Sequence, residues 1–511
     1  MSNQVVNVRA IQSLVERDRR STQSWFARPA VIFLFGLGLL IMVGAGENLL
    51  AAALAYVNLI IMAATAVHFA KQRTLHGAIP IFFLAWFAMS WPFTSIYAAV
   101  FNPHMAYSTL HDVREFLSGN VRLQLVVLLF LAVYIPIVTS LIRPAAAGWT
   151  DQYLASQHAR RLALVALVIT IVFLGANAFS KVRPLPGPLQ YIADGSYLYL
   201  RGLVFVIGAT FPFLVFGVRA TAIAYLLLSG FFYTLGNARE FAVLPLGMLL
   251  GGLLFVSRLS KRWKLIVVTG VALAFPVYLV VGETTRAMLG TVGFKNLERR
   301  AETLGRWQEM FSKGGGVTRA FGRLFNTGGH SLITLMPESY PYLEFSAPRY
   351  VVETVQRLVP GRIFYQPYYS SAGLLRSYDF NITDKTSVEL SFLGSLWMIG
   401  GPVPVIVGTV VIALIHAGLA RLLLLLVTRS PGYALLMAAM LAPEIMWAVN
   451  SDIITNIRNI VWRLLAATVV YFVVFRPFIG RDPQAAHARH PAVATAPTTF
   501  GEHRRLAGAP Q

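Results

Sequence analysis

Residues 123–142 read LQLVVLLFLAVYIPIVTSLI, twenty residues without one charged side chain. A helix rises about 1.5 Å per residue, so this stretch reaches about 30 Å, the thickness of a bilayer's hydrocarbon core. In water such a segment would expose apolar surface on every side, whereas in lipid a helix satisfies all its backbone groups internally. Similar runs lie on both sides of it. They fall near 30–46, 50–67, 79–99, 161–178, 202–217, 221–235, 241–256 and 265–282, and, after a long polar interval, near 392–420, 432–449 and 460–475. The pattern predicts an all-α polytopic membrane protein with about twelve transmembrane helices and a large, partly helical outer loop.

Composition agrees with that reading. Of 511 residues, 56% are hydrophobic and 13% charged, and the mean hydropathy is +0.62. A soluble enzyme or a disordered scaffold is excluded, since a soluble domain carries about a quarter charged residues. Forty-three Lys and Arg oppose 22 Asp and Glu, a formal charge of +21. That excess sits largely in loops and termini, where it sets topology and meets anionic lipid or a phosphorylated substrate; no nucleic-acid partner is expected. With no cysteine, disulfides, iron–sulfur clusters and thiolate chemistry are excluded.

An even number of spans places both termini on one side. The N-terminus opens on a polar stretch with Arg9, Arg17, Arg19 and Arg20, so no cleavable signal peptide is expected. Alternate connections carry Lys71 and Arg73, then Arg143, Arg160 and Arg161, then Arg219, then Arg258, Lys261, Arg262 and Lys264, then Arg421 and Arg429; Lys181 and Arg183 oppose the trend. The positive-inside rule therefore predicts that both termini are cytoplasmic. Four regions follow: a bundle of spans over 1–282, an outer loop over 283–390, further spans over 391–476, and a tail over 477–511 expected to be disordered. His487 and His490 in the tail could share a metal, but a solvated tail is the simpler reading.

A loop of about a hundred residues needs a job. Its first part, 294–325, has the spacing of a surface-lying amphipathic helix, two short helices are expected over 331–358 on either side of Pro341, and 360–391 reads as an ordered loop. The loop holds Arg286, Arg349, Arg357, Arg362 and Arg376, with Tyr365, Tyr368 and Tyr369 among its tyrosines. Arginine presents a fixed fork of donors suited to a pyrophosphate, and tyrosine stacks on sugar rings; both are also common headgroup-level anchors. His330 is the loop's only histidine and Glu389 one of several carboxylates, so either could act as a base. No metal signature, nucleotide-binding glycine loop or glycosidase-like carboxylate pair is present, and no cofactor is expected. Within the spans, Glu444, directly after Pro443, is a costly charge at membrane depth. It reads either as a transport site or as an internally paired carboxylate bracing the bundle.

The text Arg357-Leu-Val-Pro-Gly-Arg362-Ile-Phe-Tyr-Gln-Pro367, followed by Leu393-Gly-Ser-Leu-Trp-Met-Ile-Gly-Gly401, together with many spans and a large late outer loop, resembles the Wzy-type O-antigen and exopolysaccharide repeat-unit polymerases. These are relatives in plan of the O-antigen ligases. Gly361 intervenes between Pro360 and Arg362, and Ser395 stands where many relatives carry an acidic residue; Arg362 and Gly373 enclose ten residues, as in the Arg-x10-Gly pattern of some members. The resemblance implies a metal-independent, inverting glycosyltransferase acting on undecaprenyl-pyrophosphate-linked oligosaccharides as donor and acceptor, with a chain-length regulator as a further partner. On that reading Arg286 and Arg362 hold the departing pyrophosphate with Arg349, Arg357 or Arg376 in support. His330 or Glu389 is the base, and Tyr365, Tyr368 and Tyr369 line the sugar path. The alternatives are a ligase-like transfer to another acceptor, a transporter or flippase working through Glu444, and a non-catalytic scaffold for envelope assembly.

Overall fold

The computed structural model describes residues 35–46, 49–72, 74–101, 113–142, 153–154, 156–182, 186–187, 200, 202–208, 210, 346–358 and 391–480. All regular structure among them is helical. We label the helices α1 (Phe35–Ala45), α2 (Leu49–Gln72), α3 (Ala78–Ser90), α4 (Pro92–Phe101), α5 (Val113–Leu141), α6 (Gln157–Val182), α7 (Ala347–Leu358), α8 (Phe392–Gly400), α9 (Pro402–Arg429), α10 (Pro431–Trp447) and α11 (Ile453–Val469). Among the described residues, seven helical stretches are long and apolar enough to cross a membrane: Leu49–Gln72, Ala78–Ile96, Val121–Leu141, Gln157–Ala176, Pro402–Arg429, Pro431–Asn450 and Ile453–Ile479. The protein is thus a multi-pass helical membrane protein. The spans expected at 221–235, 241–256 and 265–282 lie outside the described residues, and of 202–217 only 202–208 and 210 are described, as helix.

These helices are apolar on all sides, so hydropathy alone cannot say which face packs. Burial supplies the answer. Along α9, Val405, Thr409, Ile412, His416 and Ala420 are buried, while Val403, Val407, Val411 and Leu414 are exposed. Both rows are spaced at three to four residues, the signature of one protein-facing and one lipid-facing stripe. Lipid tails are as apolar as leucine, so close packing and polar contacts, rather than water exclusion, must hold the inner stripes together.

Both devices are visible. The Asn58 amide on α2 donates to the backbone carbonyl and the Oε1 of Gln124 on α5, each at 3.0 Å, and Gln124 Nε2 donates to Ser95 Oγ on α4 at 2.6 Å. Deeper, the Tyr134 hydroxyl on α5 bonds His416 Nδ1 on α9 at 2.8 Å. Around that bond Phe83, Phe87, Phe130 and Phe392 gather, with Phe87–Phe130 and Phe130–Phe392 centroids 4.8 and 5.3 Å apart. Glycines allow close approach elsewhere: a Cβ on Gly408 would stand 2.8 Å from Ile453 Cδ1, and one on Gly202 would stand 2.9 Å from the Met440 Cα.

Two boundaries differ from expectation. The run over 392–420, read as one span, is divided at Gly401, whose φ of +71° suits glycine. The short α8, buried along Phe392–Ile399 and capped by Ser391 Oγ accepting from the Gly394 amide, therefore precedes a separate span that starts at Pro402. The last span begins at Ile453 rather than near residue 460, because Asp452 caps it, and it continues through a π-helical segment, Val470–Phe475, to Ile479.

Chain direction alternates, so each end of the bundle collects particular connections. Towards one end lie the turn at Gly401, the 3-10 turn Ala448–Asn450 and Asp452; the other end holds His76, Ile142, Arg421 and Ser430, with Tyr153 and His158 packed against Gly432. Lys71, Arg160, Arg429 and Arg476 lie in helix turns at the second end.

The approach of Gly202 to Met440 makes a sharp prediction. In full-length protein in detergent, Gly202→Ala is expected to lose about 1–3 kcal/mol through overpacking, read as a lower thermal unfolding midpoint. Gly418→Ala, where a Cβ meets nothing within 4 Å, should leave the midpoint unchanged or raise it slightly.

Candidate functional site

At the first end of the bundle, helix α7 lies against the opening turns of α11. Its sequence explains which way it turns. Tyr350, Glu353, Thr354 and Arg357 recur at three- and four-residue spacing, so they share one face. That polar face is the inner one: Glu353 is 6% exposed, whereas Val351, Val352 and Val355 on the opposite face are 60%, 52% and 59% exposed.

The contact to α11 is a chain of hydrogen bonds. Arg357 Nη1 donates to Thr455 Oγ1 at 2.7 Å. Thr455 Oγ1 in turn donates to Asp452 Oδ2 at 3.0 Å, and the Thr455 amide donates to Asp452 Oδ1 at 2.8 Å. Asp452 is thus the N-cap of α11 and the terminus of a link from the loop helix. Burial, and then the Asp452 and Glu353 carboxylates, push the Tyr350 phenol well above its ordinary range. It is a neutral hydroxyl and adds no negative charge here.

One turn along α11 stands Arg458, half-buried, its Nε and Nη2 donating to Asn459 Oδ1 at 3.2 and 3.0 Å. It feels the like charge of Arg357 and the opposite charges of Asp452 and Glu444. Among the described residues neither Arg357 nor Arg458 forms an ion pair with a carboxylate. Arg357 and Arg458, bonded to Thr455 and Asn459 and near enough to feel each other's charge, make a locally basic mouth in which Asp452 offsets part of that charge, chemistry that suits an anion.

Below the mouth the charges are matched. Arg463 Nη2 and Nε both reach Glu444 Oε1, at 2.6 and 2.7 Å, with the two residues 8% and 6% exposed. Asn456 Nδ2 donates to the Ala448 carbonyl at 2.9 Å. Beside it a cavity of about 10 Å³, room for one water, is lined by His416, Asn456 and the isoleucines of α9 and α11. Among the described residues no three His, Asp or Glu side chains gather where a metal ion could be held.

Of the residues expected from sequence to form a site, Arg349 and Arg357 are described, both on α7 but on different sides of it. Arg357 joins the mouth. Arg349 is turned outward, half-exposed, with its Nε 3.1 Å from Glu353 Oε1, an i to i+4 pair. Arg286, His330, Arg362, Tyr365, Tyr368, Tyr369, Arg376 and Glu389 lie outside the described residues. Ser395 is buried and donates to the Phe392 carbonyl at 2.9 Å, a local helix contact. Glu444 takes the second of its two expected roles, a paired carboxylate bracing α10 on α11. Arg458, Asp452, Thr455 and Arg463 were not singled out by sequence reasoning. The signals were present in Asp452-x-x-Thr455, a helix-capping pattern, and in two arginines entering an apolar span.

No family model, curated protein or solved structure matches the chain.

Two outcomes follow from this geometry. Glu444→Ala strands a buried guanidinium and should cost about 3–5 kcal/mol, seen as a large fall in thermal midpoint; the double change Glu444→Leu with Arg463→Leu should recover most of it. Thr455→Val removes the acceptor of Arg357 and should cost the α7 contact about 1 kcal/mol, about fivefold in its opening equilibrium. Amide hydrogen exchange should rise over 347–358 and stay unchanged in α9.

Proposed function

We propose that the chain polymerises undecaprenyl-pyrophosphate-linked oligosaccharide repeat units into O-antigen or exopolysaccharide. The observation that carries this reading is the pair Arg357 and Arg458, two guanidinium groups without carboxylate partners among the described residues, where a loop helix meets the end of a span. The proposed topology has twelve spans in a bacterial inner membrane. The end with Lys71, Arg160, Arg429 and Arg476 and both termini face the cytoplasm, so the mouth opens on the outer face. A lipid-linked pyrophosphate emerges from the bilayer at that depth.

The reaction is a displacement at the anomeric carbon of the donor's reducing-end sugar. A hydroxyl of the acceptor's non-reducing-end sugar forms the new C–O bond as the C–O bond to pyrophosphate breaks, inverting the centre. The bonding pair leaves with the phosphate, and the acceptor's proton goes to a base, His330 or Glu389. Fixed positive charge lowers the barrier because negative charge grows on the departing oxygen. Arg286 and Arg362 take the pyrophosphate with Arg357 and Arg458, while Arg376 supports them and Tyr365, Tyr368 and Tyr369 line the sugar path; Arg349, turned outward onto Glu353, is left out of that set. Ligase-like transfer to a different acceptor would use the same donor contacts. Transport built on Glu444 is the weaker alternative, since Arg463 already neutralises that carboxylate.

The test is chain extension by purified protein in vesicles supplied with lipid-linked repeat units, followed by gel. Wild type is expected to give a ladder; Arg357→Ala and Arg458→Ala, shown to be folded, should each slow it about 100-fold or more. No ladder from wild type with any native repeat unit, or full activity in both folded variants, would sink the reading.

A further inference from the structure

We infer that Arg421 holds the phosphate of an anionic phospholipid in a notch between α5 and α9, at the second end of the bundle. The inference goes beyond the proposed reaction and does not rest on it.

The notch comes from two parallel helices of unequal length. Tyr134 on α5 bonds His416 on α9, and further along both chains Leu141 and Ile142 share a cavity with Ala420 and Leu424. Helix α5 ends at Leu141, whereas α9 runs on from Arg421 to Arg429, a rise of about 12 Å. Beside the longer helix lies that cavity of about 430 Å³, which Arg421, Ser140 and His76 of the α2–α3 connection also line. Its volume falls in the range of small-ligand pockets.

Arg421 stands on the lipid-facing stripe of α9. Val403, Val407, Val411 and Leu414 begin that stripe, and Gly418, Arg421 and Leu425 continue it at the same three- and four-residue spacing, all exposed. A charged side chain within a span ordinarily turns towards protein or water, as Arg463 does towards Glu444. Arg421 turns the other way.

The described residues offer it no carboxylate. Their acidic side chains are Glu115, Glu353, Glu444 and Asp452. Glu115 is in the opening turn of α5, Glu353 and Asp452 stand at the mouth, and Glu444 is paired with Arg463. Snorkelling towards the end of α9 would take the guanidinium past five consecutive leucines, 422–426. A phosphate drawn into the notch meets it where it stands. A phospholipid, unlike a soluble anion, also brings acyl chains to the exposed Leu141, Leu414 and Leu425. Ser140 Oγ donates to the Ile137 carbonyl at 2.9 Å, so it offers the notch an acceptor suited to a headgroup hydroxyl, and the phosphate's charge falls to Arg421.

The test uses the full chain, stripped of lipid in a neutral detergent and titrated with phosphatidylglycerol or phosphatidylcholine while retained lipid is counted by native mass spectrometry. Wild type should hold one phosphatidylglycerol in preference to phosphatidylcholine, and inorganic phosphate should not displace it. Arg421→Ala should weaken that binding about tenfold or more. Ser140→Phe, which fills the notch and leaves the charge in place, should do the same. Arg429→Ala removes an equal charge from the same end and should keep the tight site. Each variant is checked for a monodisperse profile, and the two notch variants guard against one that misfolds. Equal phosphatidylglycerol affinity in wild type and Arg421→Ala would overturn the inference. So would equal losses in Arg421→Ala and Arg429→Ala, which would mean a diffuse basic surface, or displacement by inorganic phosphate, which would mean a site for a soluble anion.

Discussion

A carboxylate and a guanidinium, buried together at 2.6 Å, fix the geometry on which this end of the protein depends. Glu444 and Arg463 join α10 to α11, and each offsets the cost of burying the other's charge. Their pairing sets the rotation of α11 about its axis. With Arg463 turned inward, Thr455 and Arg458 fall on the side that meets α7, and Asn456 falls towards His416 and the water-sized cavity. The charges therefore divide by depth. The inner pair is balanced and holds α10 to α11, while the outer arginines bond to Thr455 and Asn459, uncharged side chains.

The rest of the bundle obeys the same constraint with uncharged groups. Asn58, Gln124 and Ser95 link three helices, and Tyr134 links to His416 across a ring of phenylalanines. Tyr433 and Thr468 at 2.6 Å, and Ser430 and Tyr471 at 2.9 Å, link α10 to the last span near the opposite end. Each bond offers a polar group a partner that hydrocarbon cannot supply. Glycines 202 and 408 complete the packing by letting backbones approach.

The spans were legible because lipid imposes one simple requirement, a charge-free run of sufficient length. Residues 123–142 and the observed Val121–Leu141 nearly coincide. Where the reading went astray, hydropathy carried no information. Gly400, Gly401 and Pro402 carry no charge, so the turn between α8 and α9 does not interrupt the charge-free run. The start of α11 was missed for the opposite reason: Asn456, Arg458 and Asn459 look like loop, and only their tertiary partners make a helix of them. The site followed the same division. Arg357 was visible as an arginine in a loop too long to be idle, whereas Arg458 gains its meaning from a helix distant in sequence. Glu444 could be recognised as important, but its partner Arg463 could be chosen only once the two helices were placed.

Thr455 is at once the acceptor for Arg357 and part of the cap on α11 through Asp452. A loop helix and a membrane span thereby share one hydroxyl group. An anion that drew Arg357 away would leave that hydroxyl with only its bonds to Asp452, and tightening the bond to Asp452 would in turn alter what Arg357 can reach. Were the mouth to take up an anion, its occupancy and the fraying of the span's first turn would be linked, each shifting the other by the same free energy.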